Sequence, residues 1–186
     1  MMKTSVDASL AHSWNTWGLA HDGLTTFASD KLVYVVLLIG ALWVALNTLR
    51  TVQPFSLFTY MKQGLIDGGF ILLFPVGAAT VLSEIISKLF DRARPFVSVD
   101  GVTLVTPHAA DGGMPSHHTT FMIAIAVAIF LRDKIVGSIL IALTLISGAA
   151  RVAAGIHFPT DIVVALVIGS AVVLLTNRIL LRILAR

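Results

Sequence analysis

The sequence predicts an all-α integral membrane protein, with five transmembrane helices behind an amphipathic helix that lies in the membrane interface. Three observations lead there. Only 12% of the 186 residues are charged and 56% are apolar, whereas soluble domains carry about a quarter charged residues. Mean hydropathy is +0.91, which leaves too little polar surface to cover a globule of this size in water. Charged residues and His118 also divide the chain into apolar stretches of 18 residues after Lys31, 16 after Asp67, 13 after His118, 16 after Lys134 and 16 after Asp161. The absence of cysteine excludes disulfide scaffolds, thiol nucleophiles and thiolate metal sites. A net charge of +3 without a basic stripe gives no footprint for nucleic acid. One membrane-embedded domain over 1–186 is expected.

Each element has its own justification. Residues 5–28 mix Trp14, Trp17, Leu19, Leu24 and Phe27 with His12, Asn15, His21 and Asp22, which suits an interfacial helix held by tryptophan anchors. No leader-peptide pattern opens the chain, so no cleavage is expected and the first span directs insertion. Spans are placed near 31–49, 65–88, 116–132, 135–152 and 161–184. A crossing helix needs about 20 residues, so polar residues complete several of them: Glu84 to Lys88, Ser116 to His118, Arg151 and Asp161. Arg132-Asp133-Lys134 reads as a tight turn, and Gly148, Gly155 and Gly169 as points of close helix approach. The polar connection 91–115 is long for so small a protein, and such loops are usually functional.

Alternation of the spans sorts the connections onto two faces. One face carries the N-terminal segment and the 91–115 and 153–160 loops, with Lys3, Lys31, Lys88, Arg92, Arg94 and Arg151. The other carries residues 50–64, the 132–134 turn and the C-terminus, with Arg50, Lys62, Arg132, Lys134, Arg178, Arg182 and Arg186. Positive charge at span ends marks the cytoplasmic side, which makes the second face cytoplasmic and the polar loops extracytoplasmic.

Three segments meet on the outer face: Arg92-Ala93-Arg94-Pro95-Phe96, Pro115-Ser116-His117-His118, and Arg151 through His157 to Asp161. Pro159-Thr160-Asp161 reads as a helix start, with His157 just outside it and within reach of the Asp161 carboxylate. A carboxylate holding one imidazole nitrogen makes the other a better nucleophile or base. Pro115-Ser116 opens another helix with Ser116 as N-cap, and a helix N-terminus attracts anions. Arg94 and Arg151 offer forked donors for phosphate oxygens. Two arginines, a helix-start serine and two separate histidines amount to a phosphoryl-transfer site that needs no metal or cofactor. His108, His117 and His118 suggest zinc at first sight, but adjacent histidines rarely serve one ion in a simple site.

At these residues the sequence resembles the type 2 phosphatidic-acid phosphatase superfamily. Arg94-Pro95, Pro115-Ser116-x-His118 and Arg151-x5-His157-x3-Asp161 look like its three signature motifs, over roughly residues 10–180. The wording "RARPFV", "PHAADGGMPSHHTT" and "ARVAAGIHFPTD" is similar to its bacterial undecaprenyl pyrophosphate phosphatases. The resemblance implies that His157 attacks phosphorus to form a phosphohistidine, with Asp161 orienting and charging its ring. His118 then protonates the leaving oxygen and activates water. Arg94, Arg151, Ser116 and the His117 N–H hold the phosphate. It also implies a bilayer-borne lipid partner with an isoprenyl tail, no obligate protein partner, and the inner membrane of a bacterium with the site facing the periplasm or cell exterior.

The sequence departs from the family pattern in two of its motifs. The first motif's usual lysine position holds Ser87, and Lys88 lies about 100° further around a helix; Lys88 or Arg92 are the candidate replacements. In the third motif Ala150 stands where a serine is usual. Among further substrate contacts, His108 is a candidate for the second phosphate of a pyrophosphate. Glu84 is a candidate for gating, against a plain i,i+4 pair with Lys88. The same chemistry on phosphatidylglycerophosphate or phosphatidic acid, or transfer of the phosphate to another lipid, is the alternative within the class. A non-hydrolytic lipid transporter is the alternative outside it, and the chain lacks the broken helix pairs in matching halves that transporters use.

Overall fold

The computed structural model describes residues 6–51 and 57–184, and every assigned element among them is helical. Lys3 and Arg186 of the charge map lie outside the described residues. Helix α1 (Val6–Ala20) ends at His21, and α2 (Asp22–Thr26) continues through a π-helical segment (Phe27–Lys31) into α3 (Leu32–Thr51). The segment expected as one helix over 5–28 is therefore two pieces. Its second half belongs to the apolar run Asp22–Arg50, longer than the 31–49 span expected there. The break is stapled by Gly18, whose carbonyl accepts from the His21 N–H at 3.3 Å and from the buried Thr25 hydroxyl at 3.1 Å.

A second helical run is built from α4 (Leu57–Leu65), a π-helical segment (Ile66–Leu73) and α5 (Phe74–Phe90). The change of hydrogen-bond register falls next to Pro75, which has no N–H to offer the regular ladder. The polar connection follows, containing the short α6 (Pro95–Ser98), and then α7 (His117–Phe130), α8 (Lys134–Ala153) and α9 (Pro159–Leu184). By length and composition Asp22–Arg50, Lys134–Ala153 and Pro159–Arg182 can cross a membrane, and His117–Phe130 is a shorter apolar helix.

The shortness of α7 follows from its place. It packs against α3, α5, α8 and α9, and Met122, Ala124, Ile125, Ala126, Ala128 and Ile129 are almost wholly buried. A helix enclosed by protein is insulated from the bilayer and need not match its thickness. Gly169 of α9 lets that helix close on α7, since a Cβ there would lie 2.8 Å from the Thr120 carbonyl oxygen. Gly155 has a different job from the helix approach expected of it. Its φ of +77° ends α8 in the left-handed region, where an L side chain is strained. At the 132–134 turn, Asp133 caps α8 by accepting from the Ile135 and Val136 N–H groups.

Candidate active site

The ends of α5, α7, α8 and α9 and the 91–115 connection converge on one pole of the bundle. His157 stands in the α8–α9 link and is 2% exposed. Its Nδ1 lies 2.8 Å from the Gly113 carbonyl oxygen. A carbonyl only accepts, so Nδ1 carries the proton and Nε2 keeps its lone pair. Nε2 in turn faces Arg94 Nη1 at 3.3 Å. Burial, and after it the charges of Arg151 and Arg94, push this imidazole well below its ordinary value of 6.5, so it is neutral.

Asp161 lies within ion-pair reach of His157, as its spacing suggests, but does not hold the ring's proton. It begins α9 as expected and is wholly buried, but it lies 3.6 Å from His157 Nδ1, beyond hydrogen-bond range. Its Oδ2 accepts from the Phe158 N–H at 2.8 Å and its Oδ1 from Arg92 Nη1 at 2.7 Å. The Gly113 carbonyl has the imidazole proton instead, because the Gly113 N–H pins that loop to the Arg92 carbonyl at 2.8 Å. Arg92 is thereby committed to Asp161, to Thr160 and to Asp7 of α1, with its guanidinium carbon 4.0 Å over the Phe158 ring.

Both other arginines are buried. Arg94 donates to the Asp111 carboxylate from Nε at 3.0 Å and Nη2 at 2.7 Å, and to the Ile156 carbonyl from Nη1. Against a burial effect that alone would raise it, hydrogen bonding and charge from Arg94 hold the Asp111 carboxyl below its usual range. Arg151 donates from Nη1 to the Ser29 carbonyl at 3.0 Å and lies 4.0 Å from the Asp30 carboxylate. Its Nη2 faces His108 Nε2 at 3.3 Å, and its Nε is buried without a partner. A buried guanidinium with an unused donor is prepared for a further anion. His108 Nδ1 donates to the Ala109 carbonyl, and burial, followed by opposition between that bond and the nearby arginines, leaves its ring below the usual value. The His108 and His157 rings stand 6.5 Å apart.

Ser116 occupies the N-cap position of α7, yet its hydroxyl caps no N–H. It accepts from the Thr119 hydroxyl at 3.1 Å instead. His118, one residue into the helix, lies within electrostatic range of Arg151 and His108. The remaining candidates stand apart from this pocket. Lys88 is turned to Glu84 at 3.0 Å with its side chain 76% exposed, and Glu84 also lies 3.5 Å from His117 Nδ1. Ser87 is the residue on the inner side, donating to the Gly112 carbonyl. A helix turns about 100° per residue, which separates the two. The structure also enlists residues that the motifs do not contain, namely Asp7, Asn15, Asp30 and Asp111. Among the described residues, no cluster of three or more His, Asp or Glu is placed to hold a metal ion.

A family model described as the PAP2 superfamily matches residues 68–184. The chain belongs to the PAP2 superfamily. Among curated proteins of that kind, the undecaprenyl-diphosphatase BcrC of Bacillus subtilis is 38% identical over 96 residues, covering 50% of this chain and 49% of BcrC. The putative undecaprenyl-diphosphatase YbjG of Escherichia coli is 32% identical over 103 residues, covering 53% of this chain and 52% of YbjG. The chain thus aligns with about half the length of these relatives. In fold, it is similar to the PAP2-type phosphatidylglycerolphosphate phosphatase of Bacillus subtilis, with a TM-score of 0.64 at 21% identity over 95% of this chain and 85% of the other.

Proposed function

We propose that the protein is a membrane lipid phosphatase that converts undecaprenyl pyrophosphate to undecaprenyl phosphate and inorganic phosphate. The observation that carries this reading is the His157 ring, buried and neutral with its Nδ1 proton on Gly113, presenting the Nε2 lone pair next to Arg94. Nε2 attacks the terminal phosphorus, the P–N bond forms, and the bond to the bridging oxygen breaks. His118 gives that oxygen its proton. The phosphoryl oxygens replace the Asp111 carboxylate on Arg94 and fill the open donor of Arg151, with the His117 N–H at the start of α7 as a further donor. Asp161, 3.6 Å from Nδ1, balances the positive charge that the ring gains on phosphorylation. Water then attacks phosphorus, His118 takes its proton, and His157 leaves.

Five spans, a site facing the outside of a bacterial inner membrane, and a long-chain isoprenoid substrate complete the reading. The charge bias across the helix ends and the likeness to the undecaprenyl-diphosphatase BcrC and the putative undecaprenyl-diphosphatase YbjG support it. Purified protein in detergent, given undecaprenyl pyrophosphate without divalent metal, is expected to release phosphate. His157→Ala is expected to lose at least about 10³-fold of that rate, as removal of a nucleophile does. A His157→Ala protein as fast as the parent overturns the mechanism. Preference for phosphatidylglycerophosphate or phosphatidic acid in the same assay reassigns the substrate and leaves the chemistry intact.

A further inference from the structure

We infer that the first isoprene units of the lipid lie in a cavity of about 540 Å³ between α1, α2 and α8, an inference that rests on the phosphatase reading above. Trp14 and Trp17 line it from α1, Leu24 and Ala28 from the segment that follows, and Ala149 and Ala150 from α8. Its volume is in the range of ligand pockets, and its walls are almost entirely carbon. Thr25, a polar residue in the lining, spends its hydroxyl on the Gly18 carbonyl.

Position identifies the occupant. Ala150 precedes Arg151, and Ala28 precedes Ser29, whose carbonyl accepts from Arg151. The inner end of the cavity is therefore walled by the backbone that holds the phosphate-binding guanidinium. From there the lining follows α8 through Ala153, Ala150, Ala149 and Ile146, one face at i, i+3, i+4 and i+7. Ile146 lies about 7.5 Å along the axis from Arg151 toward the middle of the span. A head group on Arg151 would send its tail down this wall. Trp14, Trp17 and Ile146 are about half exposed, so the cavity opens sideways where a lipid can enter. Small side chains at 149, 150 and 153 leave the room, and α1 closes the roof through Asn15, which donates to the Ala153 and Thr103 carbonyls.

A second apolar concavity, at Leu73, Phe74, Gly77 and Val81, is a shallow surface formed entirely by residues 73–85. It has no second wall and no arginine at its end, and serves as the control.

The test uses the full-length protein and a prenyl pyrophosphate carrying a diazirine in its first isoprene units. Labelling is expected on the peptides spanning Trp14–Leu24 and Ile146–Ala153, displaced by excess undecaprenyl phosphate. In Ala149→Trp, which fills the cavity, labelling should fall about tenfold or more, as should kcat/KM on undecaprenyl pyrophosphate. Turnover of inorganic pyrophosphate, which carries no isoprene unit, should stay within about twofold of the parent, which also shows that the variant is folded. Gly77→Trp should change neither activity. Labelling of Leu73–Ile85, a selective loss in Gly77→Trp, equal losses on both substrates in Ala149→Trp, or labelling that excess undecaprenyl phosphate leaves unchanged (bulk lipid only) overturns the groove. Displaceable labelling of the cavity in a protein that hydrolyses no pyrophosphate would leave the groove standing and remove the phosphatase reading.

Discussion

Residues 68–184 match the PAP2 model and residues 6–51 lie outside the match, yet the two regions divide the site between them. The matched part carries the groups proposed to meet phosphorus: Arg94, Ser116, His118, Arg151 and His157. The N-terminal part supplies several of the supports that hold them in place, beside Asp111 and Gly113 of the matched part. Asp7 binds Arg92 at 2.6 Å and Thr160 at 2.6 Å, and so supports the partner of Asp161. Asn15 ties the polar connection to the end of α8 through Thr103 and Ala153. Ser29 and Asp30 take Arg151, and Asp30 accepts from the Thr106 hydroxyl at 2.8 Å. The contrast teaches that reacting groups and their supports follow different rules. A phosphate fixes the type of residue that can hold it, whereas a support only has to complete a hydrogen bond.

The contrast is sharpest where a matched residue is removed. Arg94→Gln is expected to lower kcat/KM by roughly 10²–10³-fold, the usual loss when a donor to developing charge is deleted. It also moves the acid limb of the pH profile. In the proposed mechanism His157 reacts as the neutral ring, and burial and the nearby arginines hold its value below 6.5, so its limb in the parent is expected below pH 6.5. Arg94 is one of the charges that disfavour the imidazolium. Its removal makes protonation easier and shifts the limb upward, toward 6.5. An unmoved limb would mean that Arg94 does not face the nucleophile in solution.

Asp30 tests the other region. Its carboxylate lies 4.0 Å from Arg151, so in the proposed mechanism it would act on phosphate through the arginine. Asp30→Asn keeps the shape and removes the charge, and a loss of about three- to tenfold is expected, read mainly in KM, as for a supporting partner of a binding group. Restoration by Asp30→Glu would separate charge from packing. A loss as large as that of Arg94→Gln would erase the division of labour between the two regions.

How far the sequence could be read follows from the same division. That Arg94, His118, Arg151 and His157 gather at one pole was legible because their residue types and spacing suit phosphate chemistry beside helix starts, and Pro159 and Pro115-Ser116 mark the starts. The 132–134 turn was legible as three charged residues between two apolar stretches, whereas the Asp133 cap came only with the structure. Asp7, Asp30 and Asp111 carried no such signal. Their partners lie 85, 121 and 17 residues away, and an aspartate in a polar segment looks the same whether or not it meets an arginine. The holder of the His157 proton was invisible for a stricter reason. It is the backbone carbonyl of Gly113, and a carbonyl has no letter of its own.

The smallest expected effect concerns a charge that the sequence makes conspicuous. Lys88 stands one residue from the place of a phosphate-binding lysine, on the matched side of the boundary, yet its ammonium rests on Glu84 at 3.0 Å with the side chain 76% exposed. Exposed i,i+4 pairs contribute about 0.3–0.5 kcal/mol, and a cation that solvated adds little field at a buried phosphate. Lys88→Ala should therefore change kcat/KM on undecaprenyl pyrophosphate less than about twofold. A tenfold loss would bring the Glu84–Lys88–His117 cluster into the site, and would show that lying within the family match is a better guide to contact with phosphate than burial is.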